Sequence, residues 1–286
     1  MRSRLPKPAG GYRLIAVDLD GTLLDHNGVP HAEDLAALRR CVAAGVEVTI
    51  ATGRLYSGTR PTAEAVGIQG AVACADGSHI VRTSDHTTLL HRGVRGDAAG
   101  RIREDLDARE LATFLFAENS IVHDDRGTGF LPYVKTWSED VHHTPIVTSH
   151  PLWEHESGIT AVVALGEEAT LGATVDMIRR DLHADVQVVH FPLRHIPGLW
   201  GMIARARGSD KGMAVEEIAR GRGIGLEACV AVGDWLNDVS MLTACGRGFA
   251  MGQAPAEVKA AASDELDRSS WSGGGVAHAV MVCFDL

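Results

Sequence analysis

Residues 13–24 read Arg13-Leu-Ile-Ala-Val-Asp18-Leu-Asp20-Gly21-Thr22-Leu-Leu24, and this stretch decides the fold. Four apolar residues in succession precede the first aspartate, which is the pattern of a strand buried on both faces. Two aspartates stand at the carboxyl end of this strand, the edge where ligands bind in an open α/β sheet. The stretch therefore predicts a buried parallel strand that ends at a binding cleft.

Two further apolar runs follow within the next 50 residues. A helical pattern with Gly45 as its stop leads into the run 46–51, and another run, 71–74, leads into Asp76-Gly77. Strand, helix and strand in this order form a parallel βαβ unit. After about residue 85 the regular alternation stops, which indicates a domain boundary.

The regular pattern resumes with Met202-Ile-Ala204, a helix that opens at 209–212 and the apolar run 229–232. Between these parts lie weaker amphipathic elements separated by polar loops. The predicted fold is therefore α/β: a Rossmann-like doubly wound parallel sheet core, interrupted by a smaller α/β domain. We assign residues 1–84 and 196–286 to the core and residues 85–195 to the inserted domain.

Composition excludes several classes of protein. The net charge is −10 and the arginines are scattered, so the basic surface of a nucleic-acid binder is missing. No stretch reaches the roughly 20 apolar residues of a membrane span. Five cysteines without CxxC spacing argue against a disulfide framework or structural zinc and favour a reducing cytoplasm. We expect a cytoplasmic protein with a small-molecule partner; its oligomeric state stays open.

Paired acids recur at a second strand end. Asp234 and Asp238 follow the run 229–232, as Asp18 and Asp20 follow the first strand. Four carboxylates at one edge would repel strongly unless a metal neutralised them. Oxygen ligands alone favour a hard cation, and Mg²⁺ needs only one or two carboxylates plus substrate phosphate. The sequence therefore predicts a magnesium site.

Other residues around these acids suit a phosphate group. Gly21 and Thr22 allow a sharp turn whose backbone N–H groups face an anion. Thr52 offers a hydroxyl at the end of the second strand, and Lys211 offers positive charge at a helix start. Together they form an electrostatic cradle for a phosphoryl group.

Four segments together resemble the motifs of the haloacid dehalogenase superfamily. They are Asp18-Leu-Asp-Gly-Thr-Leu-Leu24, Ala51-Thr-Gly-Arg54, Lys211-Gly212 and Gly233-Asp-Trp-Leu-Asn-Asp238. The segment Ala250-Met-Gly-Gln-Ala254 is similar to the Cof-type subfamily, whose α/β cap is inserted between the second and third motifs. The insert at 85–195 falls at that place.

The resemblance implies a Mg²⁺-dependent phosphohydrolase that acts on a small phosphorylated metabolite. Sugar phosphates are favoured, with pyridoxal phosphate or flavin mononucleotide next. In the family's pattern Asp18 is the nucleophile that forms an aspartyl-phosphate, and Asp20 is the general acid that later activates water. Thr52 and Lys211 would position the transferred group.

The metal ligands implied by the resemblance are the Asp18 carboxylate, the Asp20 backbone carbonyl and Asp234. Asp238 is a further ligand or an acceptor behind the ligands, and Asn237 orients that shell. We expect five residues to line the substrate site: Gly21, Gly53, Arg54, Asp76 and Asn237.

Three features depart from the family pattern or lack a clear role. Asp76 stands where relatives carry asparagine, so it either disfavours polyanionic substrates or is a simple turn carboxylate. Trp235 either packs under its loop or faces the inserted domain, and packing is the expected arrangement. The stretch 190–200 is rich in proline and aromatics and is a candidate hinge or substrate-facing loop. Polar candidates in the insert are Lys135, His190, Arg194 and His195.

Two other functions compete with hydrolysis. A phosphotransferase or mutase of the same fold would deliver the phosphoryl group to a second hydroxyl instead of water. A catalytically silent regulatory protein would keep only the fold, and the complete catalytic set argues against it: Asp18, Asp20, Thr52, Lys211 and Asp234.

Overall fold

The computed structural model describes residues 7–193 and 198–286. The elements up to residue 91 are β1 (Leu14–Val17), α1 (Ala32–Ala43), β2 (Glu47–Ile50), α2 (Tyr56–Val66), β3 (Ala71–Cys74), β4 (His79–Arg82) and β5 (Thr88–His91). Those up to residue 192 are α3 (Gly96–Ala108), β6 (Ala112–Phe116), β7 (Ile121–His123), α4 (Leu131–Val134), β8 (Val141–His143), β9 (Ala161–Glu167), α5 (Glu168–Asp181) and β10 (Val186–Pro192). The remainder are β11 (Leu199–Ala206), α6 (Lys211–Gly221), β12 (Cys229–Gly233), α7 (Val239–Ala244), β13 (Arg247–Ala250), α8 (Ala256–Ala261), β14 (Asp264–Glu265) and α9 (Gly275–Phe284).

Backbone packing divides the chain into two compact units. The first unit contains the chain up to Gly53, Thr59–Leu89 and Asp210–Leu286. The second unit contains Arg54–Gly58 and Leu90–Ser209. Each unit has its own sheet and its own buried core.

The first unit is built on a parallel sheet with the strand order β14-β13-β12-β1-β2. All four residues of β1 are completely buried, as its uninterrupted apolar sequence predicts. The chain runs outward from β1 to β2 on one side and from β12 to β14 on the other. The order therefore reverses between β1 and β12, as in a doubly wound fold, in which right-handed crossovers place helices on both faces of the sheet.

Helix packing in the first unit includes a buried acid. Asp34 of α1 is fully buried and accepts hydrogen bonds from the backbone N–H groups of Gly274 and Ala277, at 2.9 and 2.7 Å. These bonds fasten α1 to the start of α9. A separate three-stranded sheet has the order β3-β4-β5. Within the described ranges no helix is long and apolar enough to cross a bilayer.

The second unit contains a six-stranded sheet with the order β10-β11-β9-β6-β7-β8. Its strand pairs are antiparallel except β7 with β8. Helices α3 and α5 share its hydrophobic core with alternate residues of the strands. That core includes Ile102, Leu106, Leu115, Val162, Leu171, Val175, Ile178 and Met202.

One part of the predicted organisation differs from the structure. The run 202–204, which was expected to resume the core sheet, lies in β11 and pairs antiparallel with β9 and β10. The second unit therefore extends to Ser209 instead of ending at residue 195. An apolar run shows that a strand is buried, but it does not show which sheet buries it.

Candidate active site

The predicted acids lie where the strand order reverses. Asp18 follows β1 directly and Asp234 follows β12, and these two strands are neighbours in the sheet. Thr52 follows β2 by two residues on the other side of β1. The first unit thus gathers these side chains at the carboxyl edge of its sheet, at the switch point where open α/β sheets bind ligands.

The ammonium of Lys211 links two of the acids. Its Nζ atom donates to Oδ1 of Asp18 and to Oδ1 of Asp238, both at 2.6 Å. All three side chains are buried, with exposures of 1%, 6% and 0%. Burial alone would lower the pKa of Lys211, but the two carboxylates outweigh it, and the pKa is raised. The lysine therefore stays charged in the interior.

The helix α6 holds this lysine at its first turn. The Asp210 side chain caps the helix by accepting from the N–H of Met213 at 2.9 Å. Sequence analysis placed Lys211 at a helix start, which the structure shows, but its complete burial was not foreseen.

Asp238 is occupied by internal donors. Its Oδ1 accepts from Lys211, and its Oδ2 accepts from the backbone N–H groups of Asp234 and Trp235, at 2.8 and 2.9 Å. One carboxylate therefore fixes both the lysine and the backbone of the loop after β12. This geometry is that of an acceptor behind a binding site.

The ionised forms of Asp18 and Asp234 are disfavoured in the folded protein. Burial, followed by repulsion from Asp238 and Asp234, raises the pKa of Asp18 well above its usual range despite the attraction of Lys211. Burial and the nearby Asp238 raise the pKa of Asp234 to about 6. Acids whose charge is disfavoured in this way concentrate at functional sites.

This cluster has the composition of a cation site. Carboxylate oxygens of Asp18, Asp234 and Asp238 lie within 4.8 Å of one another. In the part of the chain that the structure describes, no other group of three such ligands approaches so closely. The donors are all oxygen, and their mutual repulsion would be relieved by a divalent cation, so these residues fit Mg²⁺.

Gly21 allows the loop after β1 to approach Asp234. Its φ is +84°, and a Cβ atom at this position would lie 2.4 Å from Oδ2 of Asp234. The next residue, Thr22, donates its hydroxyl to Oδ1 of Asp234 at 3.3 Å. Only glycine fits this turn, because a side chain would collide with the carboxylate.

Asp76 is a buried part of the same edge, and it is more than a surface turn residue. Its backbone N–H donates to the carbonyl of Thr52 at 2.9 Å, and its Oδ1 accepts from Nδ2 of Asn237 at 2.8 Å. Asp76 therefore ties the loop after β2 to the loop after β12. A Cβ on Gly53 would lie 3.5 Å from the same carboxylate.

The backbone around Asp76 is strained. Ala75 and Asp76 have φ of +47° and +48°, and Gly77 follows at +91°. Left-handed conformations at non-glycine residues cost of order 1–3 kcal/mol each and collect at functional sites. The turn packs tightly beneath α6, since a Cβ on Gly77 would lie 2.5 Å from the carbonyl oxygen of Asp210.

Other predicted residues occupy different environments. Asp20 is exposed in the turn after β1, whereas Thr52 is completely buried. Arg54 belongs to the second unit. The prediction that Trp235 packs is wrong, because the side chain is 42% exposed; its backbone N–H is held by Asp238 instead.

Gln253 was not singled out from the sequence. Its Nε2 donates to the carbonyl of Gly21 and, at 3.3 Å, to Oδ2 of Asp234. The available signal was the segment 250–254, which resembles the Cof-type subfamily and places Gln253 just after β13, at the same edge as Asp234. A glutamine carries no charge, so this signal was weak.

Of the polar candidates of the insert, Lys135 and His190 are described and lie in the second unit. The ring of His190 contacts that of Trp200 with centroids 4.5 Å apart, and the two residues lie on the paired strands β10 and β11. Arg194 and His195 lie outside the described residues. Strand β10 ends at Pro192 and β11 begins at Leu199, so the described ends of the stretch 190–200 are strand residues.

Comparison with known proteins agrees with this geometry. Residues 15–280 match the model of the haloacid dehalogenase-like hydrolases. The pyridoxal phosphate phosphatase YbhA of Escherichia coli is 30% identical, over 88% of this chain and 92% of its own. The HMP-PP phosphatase of Serratia proteamaculans is 29% identical, over 87% of this chain and 86% of its own.

Solved structures show the same fold. A haloacid dehalogenase-like hydrolase from Bacteroides thetaiotaomicron superposes with a TM-score of 0.82 at 21% identity, covering 96% of this chain and all of its own. One from B. subtilis superposes with a TM-score of 0.76 at 25% identity, covering 94% and 98%. The chain therefore belongs to the haloacid dehalogenase-like hydrolases and is a phosphatase of that family.

Proposed function

We propose that this phosphatase hydrolyses phosphate esters of a small metabolite with Mg²⁺, through an aspartyl-phosphate on Asp18. One observation carries the proposal: the buried ammonium of Lys211 lies 2.6 Å from Asp18, beside a cluster of further carboxylates. A carboxylate in this position is oriented as a nucleophile, and the neighbouring cation offsets the charge of an incoming phosphate.

The chemistry divides into two displacements. An oxygen of Asp18 attacks phosphorus, the ester P–O bond breaks, and the leaving oxygen takes a proton from the Asp20 carboxyl group. Water then attacks the phosphorus of the aspartyl-phosphate and gives its proton to Asp20. Phosphate departs and the Asp18 carboxylate is restored. The Lys211 ammonium at 2.6 Å favours the ionised, nucleophilic form of Asp18, whereas Asp20 lies exposed in the turn after β1.

Mg²⁺ would be held by the carboxylates of Asp18 and Asp234 and by the backbone carbonyl of Asp20. When bound, it supplies positive charge that stabilises the phosphoryl oxygens. We assign Asp238 to the orientation of Lys211 and the loop after β12, because both of its carboxylate oxygens accept hydrogen bonds from these groups.

Thr52 and Lys211 would hold the transferred phosphoryl group, with backbone N–H groups near Gly21 and Gly53 contributing further donors. The Asp76–Asn237 hydrogen bond supports this arrangement by fixing the two loops that carry Thr52 and Asp234. Arg54 remains the predicted contact to the rest of the substrate.

The substrate is proposed as a small phosphorylated metabolite. Sugar phosphates are the class favoured by the sequence analysis. Pyridoxal phosphate is the substrate named for the E. coli relative at 30% identity, so it belongs beside them in any test. HMP-PP, named for the S. proteamaculans relative, adds a third compound to the test.

The decisive experiment measures phosphate release from a panel of sugar phosphates, nucleotides, pyridoxal phosphate and HMP-PP, with Mg²⁺ or with EDTA. Native protein is compared with Asp18→Asn. The control is Asp34→Asn, which makes the same isosteric change at an acid that is equally buried but lies on α1.

We expect release that requires both Mg²⁺ and Asp18 and that survives in Asp34→Asn. Release that Asp18→Asn leaves intact would contradict the proposed nucleophile. Transfer of phosphate to an added sugar, without release to water, would identify a phosphotransferase instead. Absence of both reactions across the panel would favour a silent binding protein.

A further inference from the structure

The side-chain amide of Gln253 joins three loops of the first unit. Nε2 donates to the backbone carbonyl of Gly21 and to Oδ2 of Asp234. Oε1 accepts from the backbone N–H of Ser270 at 3.2 Å. The glutamine thus connects the turn after β1, the loop after β12 and the segment before α9.

The environment specifies which way this amide points. Two acceptors, the Gly21 carbonyl and the Asp234 carboxylate, face the nitrogen, and one donor, the Ser270 N–H, faces the oxygen. Exchanging the two ends would place oxygen against oxygen and N–H against N–H. The amide therefore presents a donor to Asp234 in a single orientation.

Asp234 is consequently held at both oxygens. Thr22 donates to Oδ1 and Gln253 to Oδ2, each at 3.3 Å. The backbone of the glutamine's turn is also fixed. Met251 N–H donates to the Gly233 carbonyl at 3.0 Å, and Gly252 N–H donates to the Arg268 carbonyl at 2.8 Å. The donor thus comes from an anchored segment of the chain.

We infer that Gln253 is a positioning residue that orients the Asp234 carboxylate for cation binding. This rests on the proposed function, in which Asp234 is a ligand of Mg²⁺. A hydrogen bond from a fixed donor to one oxygen restricts the rotation of a ligand carboxylate. The carboxylate then loses less conformational entropy when the cation binds. Loss of such a partner behind a metal ligand typically weakens metal binding by about 10–100-fold.

The test measures cation binding directly on the full chain. Mn²⁺ affinity is determined by electron paramagnetic resonance and Mg²⁺ affinity by calorimetry, for native protein and Gln253→Met. Methionine keeps the length of the side chain and removes its hydrogen bonds. The control is Gln187→Met, which removes an amide that donates to the Ser209 carbonyl within the second unit.

We expect Gln253→Met to bind Mn²⁺ at least about tenfold more weakly than native protein, and Gln187→Met to bind normally. At saturating Mg²⁺ the kcat of Gln253→Met should return towards the native value, since the glutamine does not touch the reacting atoms. If the glutamine had a merely structural role, its loss would lower the melting temperature without weakening Mn²⁺ binding selectively and without recovery of kcat at saturating Mg²⁺. If the methionine variant does not fold, Gln253→Asn replaces it, because its shorter amide cannot reach Asp234 and Ser270 together.

Native-like Mn²⁺ affinity in a folded Gln253 variant would overturn the inference. The proposed function would be unaffected in that case if native protein still releases phosphate. If instead the native protein neither binds Mn²⁺ nor releases phosphate from any ester, the proposed function itself fails.

Discussion

Two buried acids, one in each unit, have opposite pKa shifts. In the first unit, burial and the neighbouring Asp238 raise the pKa of Asp234 to about 6. In the second unit, burial alone would raise the pKa of Asp124, but hydrogen bonds from Arg126 and from the N–H of Val147 outweigh it, and the pKa is lowered. The Arg126 guanidinium lies 2.8 Å from Asp124.

We propose that this difference separates structural acids from functional ones. Asp124 is surrounded by donors, so its ionised form stabilises the second unit. Asp234 and Asp18 are packed beside other carboxylates, so their ionised forms cost folding free energy, even with the Lys211 ammonium beside Asp18. Such a cost persists where the charges are needed for binding or chemistry.

The comparison is tested most strongly by removing one acid from each unit. Asp18→Asn should reduce phosphate release by at least about 1,000-fold, because the variant lacks the attacking oxygen. Asp124→Asn should leave release near the native level when assayed well below its melting temperature. Initial rates of phosphate release measure both. A strong loss of phosphate release in Asp124→Asn with unchanged stability would contradict the assignment of a structural role to Asp124.

The next largest effect concerns the buried cation. Lys211→Met leaves Asp18 and Asp238 facing each other without their shared ammonium. Breaking a buried ion pair from one side costs about 3–5 kcal/mol. Urea unfolding in EDTA should show this loss, and added Mg²⁺ should recover part of it. Unchanged stability in EDTA would mean that the lysine does not offset the acids.

The pH dependence of stability should differ between the two acids. Folded Asp234 holds its proton up to about pH 6, whereas an ordinary aspartate has released it above 3.8. The folded state therefore binds more protons between these values, and stability falls as pH rises from 4 to 6, by up to about 3 kcal/mol. For Asp124, with its lowered pKa, stability is present above the ordinary value and is lost as pH falls below it.

Urea unfolding at several pH values in metal-free buffer measures these slopes. Asp234→Asn should flatten the decline between pH 4 and 6, and Asp124→Asn should reduce the loss in more acidic solution. Equal slopes in native protein and Asp234→Asn would contradict the assignment of the decline to this carboxyl group.

The smallest effect is expected at exposed ion pairs of the second unit. Arg101 and Asp181 lie 3.5 Å apart, and the arginine side chain is 55% exposed. Solvent screening and side-chain entropy leave such pairs with about 0–1 kcal/mol. Arg101→Ala should therefore change the free energy of unfolding by less than about 1 kcal/mol. A larger loss in urea unfolding would show that surface pairs help to hold this unit together.

Much of the fold was predictable because its signals are local. A continuous apolar run such as 14–17 indicates a strand buried on both faces, and polar residues directly after it mark the ligand-binding edge. The parallel sheet and the inserted unit follow from such runs. The membership of β11 in the second unit could not be predicted from its apolar run, because its antiparallel pairing with β9 involves residues distant in sequence.

The site likewise contains residues that local sequence patterns reveal and residues whose roles depend on contacts between distant segments. Asp18, Asp234 and Lys211 could be named from the sequence, since charged residues at strand ends and helix starts are conspicuous. The sequence left two roles open for Asp238, and it did not reveal the role of Gln253. The role of Asp238 depends on three donors that meet one carboxylate, and the role of Gln253 depends on an uncharged amide that meets residues from three other loops.

By itself, the sequence determined which chemical groups lie at the carboxyl edge of the sheet and which strands carry them, because burial patterns and strand ends can be recognised from neighbouring residues. Only the tertiary structure decided how those groups share hydrogen bonds. Lys211 and Asp18 are 193 positions apart, yet their atoms lie 2.6 Å from each other. Distances of this kind arise from the packing of the whole unit, which no local pattern encodes.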